Sequence, residues 1–120
     1  MTQGAPAADA PLDDGQGPPW LLRRLATNGF SVLVFGESRL AEELARAVAA
    51  NPPAAVDGKT IAIQVLGLPA EGTAARRYDA RPGTVYLLRP DQHISARWRS
   101  ANGDDLRHAI DRALARAGAH

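Results

Sequence analysis

"YDARPGTVYLLRPDQHISARWR", residues 78–99, reads as two strands joined by a tight turn. The run at 84–88 is β-branched, aromatic and aliphatic, the make-up of a strand packed on both faces. Arg89-Pro90-Asp91-Gln92 carries proline at the second position of a turn, where its fixed φ is already correct. The stretch 93–99 then alternates. Ile94, Ala96 and Trp98 fall on one side, with His93, Ser95, Arg97 and Arg99 on the other. So short a connection makes the pair an antiparallel hairpin. Arg81, Pro82 and Gly83 punctuate the entry to its first strand.

The flanking sequence supplies the rest of a layered domain. "FSVLVFG", 30–36, is nearly continuous apolar sequence, the pattern of a strand buried on both faces. In "ESRLAEELARAVAA", 37–50, Leu40, Leu44 and Val48 share one helical face. Ser38 suits the cap of that helix, and Glu42 and Glu43 lie toward its positive end. Asn51-Pro52-Pro53 stops it. "KTIAIQVLG", 59–67, is a second strand, with Ile61, Ile63 and Val65 opposite Thr60, Ala62 and Gln64. A strand–helix–strand unit of this kind has parallel strands and a right-handed crossover.

Residues 68–77 are a loop with room for one helical turn. Trp20, Leu21 and Leu25 predict a short helix that starts near Pro19 and stops at Asn28-Gly29. A helix over 104–117 closes the chain, with Leu106, Ile110, Ala113, Leu114 and Ala117 as its apolar stripe. Asn102 or Asp104 can cap it, Gly118 can end it, and His108 points away from the stripe.

A length of 120 residues fits one domain with one modest core. Residues 1–19, rich in Ala, Pro, Gly, Gln and Asp, read as an extended or mobile leader, leaving 20–118 as the domain. Charge is near balance at +1, and Lys59 is the single lysine among many arginines. That balance argues against a nucleic-acid binder. With no cysteine, disulfides, thiolate metal sites and thiol redox chemistry are excluded. The start has neither the charge nor the apolar run of a signal peptide, and no apolar run reaches the roughly 20 residues that span a bilayer. A cytoplasmic protein that does not engage membranes is expected, and Met1 together with a helical end favours a chain of its own.

The order βαβ followed by ββα resembles the thioredoxin-like arrangement: a mixed four-stranded sheet flanked by helices. Tyr78, Arg81, Pro82, Gly83 and Thr84 ahead of the hairpin look like the element that precedes the third core strand of a thioredoxin. By that resemblance the Arg81–Pro82 bond is a candidate cis peptide. The redox cysteines of a thioredoxin would follow the first strand, where this chain has "GESRLAEE", so the fold is implied without the chemistry. A closer resemblance covers almost the whole chain. "GAPAADAPL", "WLLRRLATNGFSVLVFG", residues 78–99 and the Ala/Arg-rich final helix resemble the C-terminal domain of FAD-dependent aromatic-ring monooxygenases, of the phenol hydroxylase and 3-(3-hydroxyphenyl)propionate hydroxylase type. Gln92 departs from that family, which more often has glycine in the turn.

What the resemblance implies is a non-catalytic module acting in protein–protein association or oligomerisation, with a flavoprotein monooxygenase or a second copy as partner. FAD is implied for the related full-length enzymes only. Their flavin is held by a Gly-rich phosphate loop, and G-x-G-x-x-G does not occur here. The alternative is a segment or split subunit of an active monooxygenase, using NAD(P)H to hydroxylate a phenolic substrate with FAD bound elsewhere.

Three sets of side chains invite a sharper reading. Asp91, His93 and Ser95 are the residue types of a hydrolytic triad, but the three are near neighbours in a turn and a strand, with no oxyanion device beside them. No catalytic residue is assigned. Arg81, Arg89, Arg97 and Arg99, with His93, are candidates for an interface or anion contact, since arginine grips carboxylates in pairs of bonds; the plainer reading is a charged face that discourages edge-to-edge aggregation. Arg76 and Arg77 extend the same basic sequence. His93, His108 and His120 lack metal-ligand spacing, so no metal is expected. Pro82, Gly83, Pro90, Asp91 and Trp98 are read as structural, with Trp98 packing inward and Trp20 a core or interface aromatic.

Overall fold

A computed structural model describes residues 4–12, 19–26, 29–50 and 62–117. Its elements are a 3-10 turn (Leu21–Arg24), β1 (Gly29–Phe35), α1 (Ser38–Ala50), β2 (Ala62–Leu68), α2 (Thr73–Arg77), β3 (Val85–Leu88), β4 (Ile94–Trp98) and α3 (Gly103–Ala117). The four strands form one sheet in the order β2-β1-β3-β4. β1 runs parallel to β2, and β3 is antiparallel to both β1 and β4. This is the βαβ-plus-ββα arrangement expected from the sequence, a thioredoxin-like mixed sheet without cysteines.

β1 is fully buried because it sits inside the sheet between two layers. Phe30, Val32 and Val34 face Leu44 of α1 and Leu106, Ala109 and Ile110 of α3. Leu33 and Phe35 face the other way, onto Leu21, Leu25, Ala74, Ala75 and Tyr78. The period-2 alternation of the strand thus feeds two cores, one under the long helices and one under the 3-10 turn and α2. Each large aliphatic or aromatic side chain so buried contributes about 1.5–3 kcal/mol.

Asn102 caps α3. Its Oδ1 accepts from the Asp105 N–H at 2.8 Å, and the Asp105 carboxylate accepts in return from the Asn102 N–H at 3.1 Å. This reciprocal box satisfies two otherwise orphaned donors and leaves Asp104 no capping role. Ser38 is the first helical residue of α1, one position inside the cap expected for it. The stop at 51–53, the strand start at 59–61, Asn28 and Gly118 lie outside the described residues.

The segment read as a leader is corrected by the structure over 4–12. It is extended, and it is packed. Gly4 and Ala7 donate to the carbonyls of Ile94 and Gln92, and the Ile94 N–H donates to Ala5, so this strap adds a further row of bonds beyond β4. It then crosses the sheet, burying Ala7, Ala10 and Leu12. Leu12 and Leu21 donate back to Pro19 and Ala10 as the chain reverses. Composition hid this because the strap is held through its backbone and packs small side chains.

The Arg81–Pro82 peptide is not cis; no cis bond occurs among the described residues. Pro82 instead occupies the second position of a turn closed by the Thr84 N–H on the Arg81 carbonyl at 2.9 Å. Gly83 supplies the positive φ of 93° at the third. That is a type II turn, which uses an ordinary proline.

The alternation expected for 93–99 is also corrected. Leu87 pairs with Ala96 but Leu88 pairs with Ile94, so Ser95 is an extra residue, a β-bulge. The bulge puts Ile94 on the face of Tyr86 and Leu88, while Ala96 and Trp98 join the opposite core.

Candidate functional site

The basic residues singled out from sequence separate into three places. At the hairpin turn, Arg89 Nε and Nη2 donate to the two oxygens of Asp91 at 3.1 and 3.0 Å, and the His93 N–H donates to Asp91 at 3.1 Å. Burial pushes the Asp91 carboxyl upward, but the Arg89 bonds and the His93 N–H outweigh it and hold it below the ordinary carboxylate value. Gln92 takes a positive φ of 63°, and its amide donates to the Leu22 carbonyl at 3.0 Å. Asp91 and Pro90 therefore shape the turn, and the turn is tied to the 3-10 segment.

On the strap-side face, Arg97 and Arg99 converge on Asp79. Arg97 Nη2 donates to the Asp79 carbonyl at 3.1 Å and lies 3.4 Å from its carboxylate. Arg99 Nη1 donates to the same carbonyl at 3.4 Å. The Arg97 guanidinium also sits 5.4 Å over the Tyr86 ring, a cation–π placement. Beneath it Phe35, Tyr78 and Tyr86 form a ring cluster, with the two tyrosines edge to face at 5.0 Å. Burial pushes the Tyr86 hydroxyl upward, and Arg97 offsets part of that.

Arg81 stands apart, exposed on the turn ahead of β3. Arg77 reaches the strap instead, donating to the Asp9 carbonyl at 2.6 Å, and Arg76 donates to Thr73 at 3.3 Å. Sequence reasoning missed Asp79, Tyr78 and Asp9 as the acceptors and anchors around these arginines. The one local signal was Asp79 between a helical segment and Ala80, a residue type that tolerates the left-handed φ of 48° it adopts.

The triad geometry is absent. His93 Nδ1 lies 3.1 Å from the Asp91 carbonyl and 3.4 Å from its carboxylate. No hydrogen bond joins Ser95 to His93 among the described residues, and Ser95 is the bulged position. No group of three His, Asp or Glu side chains among the described residues is placed to hold a metal ion. Trp98 is half-buried against the α3-side core, and Trp20 is 42% exposed. His108 is exposed, as its place opposite the apolar stripe requires.

The turn after β1 is the place where a flavin pyrophosphate would be sought. It does not fit one. The Gly36 N–H is already committed to the Leu68 carbonyl at 2.7 Å. Gly36 is also packed so closely that a Cβ there would stand 2.7 Å from Ala70 and 3.1 Å from Pro82.

The fold recurs in larger proteins. The flavin-dependent monooxygenase PieE, solved with FAD and substrate, matches 94% of this chain with a TM-score of 0.68 at 21% identity. Aklavinone-11 hydroxylase, solved with FAD and aklavinone, matches 81% of it with a TM-score of 0.60 at 16% identity. The chain spans only 20% and 18% of the length of these two proteins. No protein-family model matches the chain, and no curated protein sequence does. What is shared at this identity is the fold: a thioredoxin-like domain that forms about a fifth of each monooxygenase. No helix among the described residues is long and apolar enough to cross a membrane.

Proposed function

We propose that this chain is a non-catalytic thioredoxin-like module of the kind carried by flavin-dependent aromatic hydroxylases, and that it works by association with a flavoprotein monooxygenase or with itself. The observation that carries this reading is the match of 94% of the chain to a fifth of a flavin-dependent monooxygenase. Two features support it. The turn after β1 is packed shut against a phosphate, and the arginines are engaged in holding the strap, the turn and Asp79 rather than converging on an open pocket. The functional surface is therefore a protein-facing one, and the setting is cytoplasmic.

The test is to purify the chain and read its flavin absorbance, then titrate it against an aromatic hydroxylase trimmed of its corresponding domain. The expected result is no stoichiometric FAD on the chain and saturable binding to the trimmed enzyme. FAD bound one-to-one would overturn the non-catalytic reading. Saturable binding that restored NAD(P)H-dependent hydroxylation would identify the chain as a split subunit of an active enzyme.

A further inference from the structure

The two edges of the sheet are finished differently. Beyond β4 the strap supplies a further row of backbone bonds. Beyond β2 no strand lies among the described residues. Its seven residues, AIQVLGL, contain no charge and no proline, the devices that ordinarily blunt an open edge. Ile63, Val65 and Leu66 are half-buried, and Ala62 and Gly67 are exposed.

The direction of the backbone groups on β2 follows from one bond. The Gly36 N–H donates to the Leu68 carbonyl, so Leu68 turns its polar backbone toward β1. By alternation Leu66 and Gln64 do the same, while Ile63, Val65 and Gly67 turn theirs outward.

We propose that this edge pairs with the same edge of a second copy, antiparallel about a two-fold axis at Val65. In that register Ile63 faces Gly67, Val65 faces Val65 and Gly67 faces Ile63, each pair exchanging both N–H···O bonds. Gly67 presents no side chain opposite Ile63. The interface is isologous, so one satisfied half satisfies the other, and the two sheets become one.

Charge selects this partner and this direction. Lys59, the single lysine, and Glu71 stand at equal distances along the chain from Val65, so antiparallel pairing sets each beside its opposite on the other copy. Parallel pairing would set Lys59 beside Lys59 and Glu71 beside Glu71. The inference rests on the association reading above and names its surface.

Sedimentation or light scattering of the full chain across a concentration series tests it, together with amide exchange. The expected result is a species of twice 12.7 kDa, in which the Ile63, Val65 and Gly67 amides gain protection as concentration rises while those of Gln64 and Leu66 are protected throughout. Lys59→Glu or Glu71→Lys weakens the dimer by about tenfold, from exposed pairs turned repulsive at both ends of the edge, and the double variant restores it. A monomer at every concentration, or a dimer in which those three amides stay as exchangeable as in dilute protein, overturns the proposal. A monomer that still binds the trimmed hydroxylase would remove this edge and keep the association reading. An edge-paired dimer indifferent to the hydroxylase would keep the edge and remove the flavoprotein partner.

Discussion

The Tyr78 hydroxyl donates to the Ala8 carbonyl at 2.6 Å, joining residues seventy positions apart. Around it, Asp9 Oδ1 accepts from the N–H groups of Ala10 and Leu22, and Arg77 holds the Asp9 carbonyl. The strap is thereby fixed to α2, to the 3-10 turn and, through Ile94, to β4. Tyr78→Phe keeps the ring in the aromatic cluster and removes only the donor, leaving the half-buried Ala8 carbonyl without its partner. The expected loss is about 1–2 kcal/mol. It would be read as a lower denaturation midpoint with an unchanged slope, accompanied by faster proteolysis within 4–12. A midpoint unchanged by the substitution would mean the strap does not contribute through this bond.

The same tyrosine makes stability depend on alkaline pH. Burial is the main cause that pushes the Tyr78 hydroxyl far above its ordinary value of 10.0, and Tyr86 and Asp9 add to it. Below about pH 10 both the folded and unfolded chains keep the proton, and stability does not change on this account. Above it the unfolded chain ionises while the folded one does not. The unfolded state then binds fewer protons, so stability falls as pH rises. The expected slope is about 1.4 kcal/mol per pH unit for this one group. Denaturation midpoints measured on either side of pH 10 would show it, and Tyr78→Phe would make the decline shallower.

How much of this was open to reading from the residues depended on what kind of signal each feature leaves. The sheet order followed from alternation, run length and the tight turn at Pro90-Asp91, all local patterns. The bulge at Ser95 leaves no compositional mark, and it sent Ile94 to a different core from Ala96 and Trp98. The strap was hidden because Ala7 and Ala10 are small and its bonds are main-chain ones, so apolar content understates its packing. Arginines were visible, but their acceptors were not. Asp79 lies far from Arg97 and Arg99 in sequence and meets them only when β4 is in register with β3. Pro82 looked like a cis element by family resemblance, whereas Gly83 beside it was the local evidence for a type II turn.

Two glycines with positive φ separate steric from conformational cost. Gly36 (φ 75°) lies against Ala70 and Pro82, whereas Gly72 (φ 100°) has nothing within 4 Å of an added Cβ. Gly72→Ala should cost about 1 kcal/mol, the penalty of a left-handed backbone for a residue with a Cβ. Gly36→Ala adds a contact at 2.7 Å in a tightly packed turn and should cost about 3 kcal/mol or more. Parallel denaturation of the two variants checks the difference, and equal losses would mean the β1–α1 turn relaxes freely around the new methyl.

Gln92 carries two opposing contributions that substitution can divide. Its φ of 63° is strained for a side chain bearing a Cβ, and it sits where hairpins of this form favour glycine in the left-handed region. Its amide nonetheless donates to the Leu22 carbonyl at 3.0 Å, tying the turn to the 3-10 segment. Gln92→Ala keeps the strain and loses the bond, so about 1 kcal/mol of stability should go. Gln92→Gly loses the same bond but relieves the strain by about 1 kcal/mol, leaving stability near that of the parent. The difference between the two variants isolates the backbone term, and the difference between parent and alanine variant isolates the tie to Leu22. If the glycine variant proved as unstable as the alanine one, the left-handed conformation at this turn would carry no cost, and the family's preference for glycine here would need another cause.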